Sequence, residues 1–74
     1  MDVIDSSRDR VNIFMSRDEL LVLNAALNEI CNGLDVFEFE TRIGASRDFV
    51  NGLLREICSV LDEMDAFENN GALQ

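Results

Sequence analysis

The stretch 37–57, F-E-F-E-T-R-I-G-A-S-R-D-F-V-N-G-L-L-R-E-I, sets the terms on which this chain can fold. It holds a short apolar-periodic run ending at Ile43, a Gly44-Ala45 break, and then Ser46, whose hydroxyl is suited to accept from the first amides of a new helix. That is the outline of two helices meeting at a tight turn, because glycine enters the left-handed conformation such a turn needs without a Cβ clash. Beyond Ser46, Phe49, Val50, Leu53, Leu54, Ile57, Val60, Leu61 and Met64 recur on one helical stripe, with Asp48, Gly52, Arg55, Ser59, Asp62 and Glu63 away from it. A long amphipathic helix is predicted, fraying near Phe67, with Leu53 near the centre of its core face. Gly52 in mid-helix costs about 1 kcal/mol relative to alanine and points to close approach of another backbone.

The same chemistry opens an earlier helix. Ser16 is placed as N-cap, Glu19 completes a capping box, and Asp18 suits the positive end of the helix dipole. This helix is expected to run to about Asn32 and stop at Gly33 in a left-handed C′ position. At 100° per residue, Leu20, Val22, Leu23, Ala26, Leu27, Ile30 and Cys31 form the predicted core arc, and Arg17, Asn24, Asn28 and Asn32 lie opposite. Leu21 and Ala25 project from the asparagine side; a stray exposed apolar residue is the commoner reading of such a position, and an interface edge is the alternative. Between the two long helices, Asp35 is expected to cap a short helix over 36–43, with Val36, Phe39 and Ile43 on one side and Phe37 off that stripe.

Before Ser16, Val11, Ile13 and Met15 alternate with Asn12 and Phe14 in a short β-like pattern. No second convincing strand is visible. An isolated strand needs a partner for its backbone groups, so this segment either pairs with its copy in a dimer or packs as an extended arm on the helices. The organisation expected is a flexible acidic tail at 1–9, a single helical domain at 10–68 and a flexible C-terminal tail at 69–74. The fold class is accordingly all-α: a small three-helix domain with a short extended or β N-terminal arm.

Seventy-four residues make one domain, and one this small buries only about 60% of the surface its unfolded chain exposes, so added burial against a partner chain is expected. The formal charge is −9, with six basic residues, all arginine, and no lysine or histidine. Missing lysine removes Schiff-base chemistry, and missing histidine removes the commonest metal ligand and general base. Residues 10–57 carry five arginines against eight acids, a net −3, and the two ends supply the other −6. Cys31 and Cys58 belong to no C-x-x-C pair and are read as reduced, buried thiols. Asp62, Asp65 and Glu68 lack the glycine and spacing of a calcium loop. No apolar run of signal or membrane length occurs, so a cytoplasmic protein without a membrane partner is expected.

With Gly44 at the turn, Ile43 before it, and Val50 and Leu53 on the following helix, the 37–57 segment resembles the helix-turn-helix motif of DNA-binding tri-helical domains. The likeness covers about a third of the chain, and it departs from the motif at Glu40, where a small residue is usual four positions before the glycine. The resemblance implies a third helix in the major groove, reading bases through Arg47, Asn51 and Arg55 on one exposed strip. The charge balance argues the other way, because Asp48 and Asp62 neighbour that strip, no lysine anchors phosphates, and the acidic ends of a chain of net charge −9 repel a polyanion.

Recognition of another protein is therefore the leading expectation: a non-enzymatic interaction or regulatory module, homodimeric, with Leu21, Ala25, Asn28, Arg47, Asn51 and Arg55 as the candidate surface. No catalytic, metal-binding or cofactor-binding residue is singled out. A helix-turn-helix DNA-binding regulator and a small acidic inhibitor of a basic protein, of immunity or antitoxin type, are the alternatives.

Overall fold

The computed structural model describes residues 1–73, with side chains described as far as Phe67; the expected tail at 69–74 lies outside that fully described range. The elements are β1 (Asp2–Ser6), β2 (Val11–Phe14), α1 (Arg17–Asn28), a π turn (Glu29–Gly33), α2 (Phe39–Ile43) and α3 (Arg47–Leu73). The three expected helices are present, but the chain is mixed α/β rather than all-α. Its N-terminal arm is a two-stranded antiparallel hairpin.

The strand that periodicity could not supply lies in the segment read as an acidic tail. Asp2 pairs with Phe14, Val3 with Ile13, Asp5 with Asn12 and Ser6 with Val11; Ile4 is the extra residue of a bulge. A bulge shifts the alternation by one residue, which is why 2–6 shows no clean period of two. The turn is closed by the Ser7 amide donating to the Arg10 carbonyl at 2.8 Å and the Arg10 amide donating to Ser7 Oγ at 3.2 Å.

Both serine caps form as the sequence implies. Ser16 Oγ accepts from the Glu19 amide at 3.1 Å while Glu19 Oε1 accepts from the Ser16 amide at 2.9 Å. Ser46 Oγ accepts from the Phe49 amide at 3.1 Å. The end of α1 departs from expectation. It widens into a π turn, with the Leu34 amide donating to the Glu29 carbonyl at 2.7 Å, and Gly33 does not take a positive φ. A Cβ on Gly33 would meet the Glu29 carboxylate at 2.7 Å, so the glycine makes room for that side chain rather than for a left-handed cap. The left-handed cap is Gly44, at φ 88°, whose amide donates to the Glu40 carbonyl. α2 is shorter than 36–43, because Glu38 in the left-handed region starts it and Asp35 makes no cap.

α1 and α3 run antiparallel, with Arg17 paired to Asp65, Asn24 to Cys58, and Arg47 to the Cys31 carbonyl. Cys31, Phe39, Val50 and Leu54 form the buried core, with Leu27, Ile30, Val36 and Ala45 against it; Ile57 and Leu61 continue the buried seam along α3. The spacing 50, 54, 57, 61 is a one-sided seam of the kind two packed helices share. Much of each predicted core face lies outside it. Val22, Leu23 and Ala26 on α1, and Phe49, Leu53 and Val60 on α3, are exposed. Arg17 and Asn24, placed opposite the core by periodicity, are half-buried toward α3 because each has a polar partner there. The cause is numerical: one helix can cover only part of so wide an apolar arc.

The result is elongated, 49 × 32 × 17 Å, with a radius of gyration of 15.0 Å, against about 11 Å for a compact domain of this length.

Candidate interaction surface

Two flanks border the α1/α3 seam, and their chemistry differs. On one, the Cys58 thiol donates to Asn24 Oδ1 at 3.1 Å and Arg17 pairs with Asp65. Helical geometry puts Leu21, Ala25 and Asn28 on this side of α1, and Arg47, Asn51 and Arg55 on this side of α3. The six residues singled out from sequence thus share one flank, but they are not alike in state. Leu21 and Ala25 are exposed, and Asn28 Oδ1 accepts from Asn32 at 3.0 Å. Asn51 is half-buried, and Arg55 Nε reaches the Asn51 carbonyl only at 3.5 Å.

Arg47 is turned inward. Its Nη1 donates to the Cys31 carbonyl at 2.8 Å, and its guanidinium stands 4.4 Å from the centroid of the Phe39 ring. A carbonyl freed at the α1 terminus and an aromatic face are two of the groups that guanidinium satisfies best. Of the strip Arg47, Asn51 and Arg55, one arginine is therefore committed to holding α2 and α3 against the end of α1.

The opposite flank is apolar. Leu23 of α1 and Ile30 of the π turn that follows it face the same way as Phe49, Leu53, Val60 and Phe67 of α3, since both sets lie about 90° from the buried seam on the side away from Asn24 and Cys58. Phe49 and Leu53, with Asp48, Gly52 and Glu56, line a shallow depression here. Nothing lies within 4 Å of a Cβ built on Gly52, so the approaching backbone that the sequence suggested is not supplied by this chain. Farther round α1, Val22 is 71% exposed and Ala26 is exposed beside it. Sequence reasoning missed this second face because it assigned the same residues to the core. The signal was present in α1, where apolar residues at 20–23 and 25–27 leave no consistently polar side.

The hairpin has a third surface. Cross-strand partners share a face, so Val3, Ser6, Val11 and Ile13 lie together on one side and Asp2, Asp5, Asn12 and Phe14 on the other. Asn12 Nδ2 donating to Asp5 Oδ2 at 3.2 Å agrees with that division. Every residue of both strands is exposed. The Met1 amine bonds Glu19 Oε2 at 2.5 Å and ties the start of β1 to the first turn of α1. That bond, then the Ser16 amide, holds the Glu19 carboxyl below its ordinary 4.5.

Among the described residues no cluster of histidine, cysteine, aspartate or glutamate is placed to hold a metal ion, and no helix is long and apolar enough to cross a membrane. No protein-family model matches the chain, and no curated protein or solved structure matches it.

Proposed function

We propose that this chain is a non-enzymatic protein–protein interaction or regulatory module whose working form is a homodimer. One observation carries the reading: α1 is apolar on nearly every side, yet none of its residues is buried. A helix hydrophobic all round belongs in an interior, and here that interior needs a second chain. A second copy fits the apolar flank and the outer side of α1 electrostatically, because the chain between 10 and 57 carries only −3 of the −9 and the remaining acids sit at the ends, where salt screens them. A cytoplasmic setting suits the two unpaired cysteines, one of them exposed.

Sedimentation equilibrium of the full chain, from micromolar to hundred-micromolar protein, tests the reading. A dimer is expected, weakened in Val22→Glu, which places a charge on the outer side of α1, and in Leu21→Glu, which places one on the exposed edge between that side and Asn24. A monomer mass across the whole range overturns it.

A further inference from the structure

We infer that two copies join through the open edge of β2, forming a four-stranded antiparallel sheet in the order β1-β2-β2-β1 about a two-fold axis at Asn12. The inference rests on the homodimer reading and adds a strand edge to the apolar side of α1 as surface shared by the two copies.

The hairpin has two free edges, and only one is protected. β1 carries the Ile4 bulge and the charges of Asp2 and Asp5, features that discourage edge pairing. β2 is Val-Asn-Ile-Phe, with neither charge nor bulge nor proline. In a chain of net charge −9, an uncharged strand is where two copies meet with least repulsion.

The phase of the ladder follows from the turn. The Arg10 carbonyl accepts from the Ser7 amide across the turn and so points toward β1; by strand alternation Asn12 and Phe14 also present their backbone groups to β1, and the amides and carbonyls of Val11 and Ile13 point outward. A two-fold axis at Asn12 sets Val11 against the partner's Ile13, and Ile13 against the partner's Val11, each pair exchanging both backbone bonds. Backbone groups left to solvent by a lone hairpin, itself marginal in water, are then used. The same register joins Val3, Val11 and Ile13 of the two chains into one continuous apolar face. On the other face it puts Arg10 opposite the partner's Phe14, the aromatic face a guanidinium prefers, with the partner's Asp2 one strand further. An axis between Asn12 and Ile13 would set outward-pointing groups against inward-pointing ones, and an axis at Ile13 keeps the phase but moves Arg10 off the partner's Phe14.

Cysteine cross-linking in the full chain tests the register, in a Cys58→Ser background that removes the exposed native thiol while keeping a donor for Asn24. Across the axis the two Asn12 residues form a non-hydrogen-bonded pair whose Cβ atoms fall within disulfide reach, whereas Ser6 is an outer-strand residue far from its copy. Under mild oxidation Asn12→Cys should link at least about tenfold faster than Ser6→Cys. A separate variant, Val11→Pro, removes an amide that β1 does not use and should raise the dimer dissociation constant at least about tenfold while the hairpin persists. If sedimentation shows a dimer but Asn12→Cys links no faster than Ser6→Cys, or Val11→Pro leaves the dimer intact, the strand pairing is overturned and the homodimer stands on another surface. If the protein is a monomer throughout, both fall.

Discussion

The Arg47 guanidinium lies 4.4 Å from the Phe39 ring centroid while Nη1 donates to the Cys31 carbonyl at 2.8 Å, so one side chain joins α3, α2 and the end of α1. Bonds to a charged donor contribute about 1.5–3 kcal/mol and a cation–π contact ~0.5–1 at an exposed site. Arg47 is itself exposed, so the lower end applies, and Arg47→Ala is expected to destabilise by ~1–2 kcal/mol in urea unfolding. Arg47→Lys should recover part of that, because lysine keeps a charge and loses the planar fork. The same commitment bears on the resemblance to DNA-binding domains. Duplex DNA is expected to bind weakly at physiological salt, and Arg47→Ala to leave that residue of binding unchanged at matched folded fraction. Submicromolar, steeply salt-dependent affinity lost in Arg47→Ala would reverse the order of the readings.

Adjacent leucines on α3 make the division of its apolar arc measurable. Leu54 is 7% exposed within the core, and Leu53 is 42% exposed on the open flank. Leu54→Ala should cost about 2–5 kcal/mol, the range for truncation in a packed interior. Leu53→Ala should cost below about 1 kcal/mol at concentrations where the protein is monomeric. Equal losses at both positions in dilute protein would mean that the flank is covered within one chain.

Legibility follows from how local each cause is. Ser16 with Glu19, and Ser46 with Phe49, depend on neighbours within one turn, and both caps were readable. The existence and sequence order of the helices depend on periodicity, which was also readable. Which part of an apolar arc is buried depends on the partner helix, and periodicity cannot supply that. Arg17 and Asn24 were assigned to solvent because their type is polar, yet Asp65 and Cys58, far away in sequence, hold them at the seam. The strand at 2–6 was hidden by the bulge at Ile4 and by exposure of both faces, which leaves no alternation to detect. The interaction residues drawn from sequence were one flank of the helical pair; the apolar opposite flank was spent on a core larger than this chain builds.

Two glycines assigned similar roles from sequence should respond differently to alanine. Gly44 has φ 88° with open space around its missing Cβ, so Gly44→Ala is strained by backbone conformation alone and should cost ~1–2 kcal/mol. At Gly33 the added Cβ meets only the far end of the Glu29 side chain, which can rotate away, and φ is not positive. Gly33→Ala should therefore fall within about ±0.5 kcal/mol, offset in part by lower unfolded-state entropy. Thermal unfolding of the pair decides it: a Gly33→Ala loss equal to that of Gly44→Ala would place the left-handed cap at the end of α1 after all.

Glu19 links the hairpin to the first turn of α1, and its ionisation makes that link sensitive to acid. Its carboxyl is held below 4.5, first by the Met1 amine and then by the Ser16 amide, both of which favour the carboxylate over the neutral acid. A folded-state value below the unfolded one means that the unfolded chain takes up the proton first as pH falls. The stabilisation is therefore complete above the unfolded value of 4.5, and is lost progressively as pH drops through it and through the lower folded value. Neutral Glu19 can no longer pair with the amine, and its side of the capping box weakens. Glu19→Gln keeps a side-chain acceptor for the Ser16 amide but carries no charge. Melting temperatures of the native chain and of Glu19→Gln, measured from neutral pH to about pH 3, should differ most at neutral pH and converge in acid as the native carboxyl protonates. A gap that stays constant across the carboxylate range would show that the contact with the Met1 amine contributes nothing to the fold in solution.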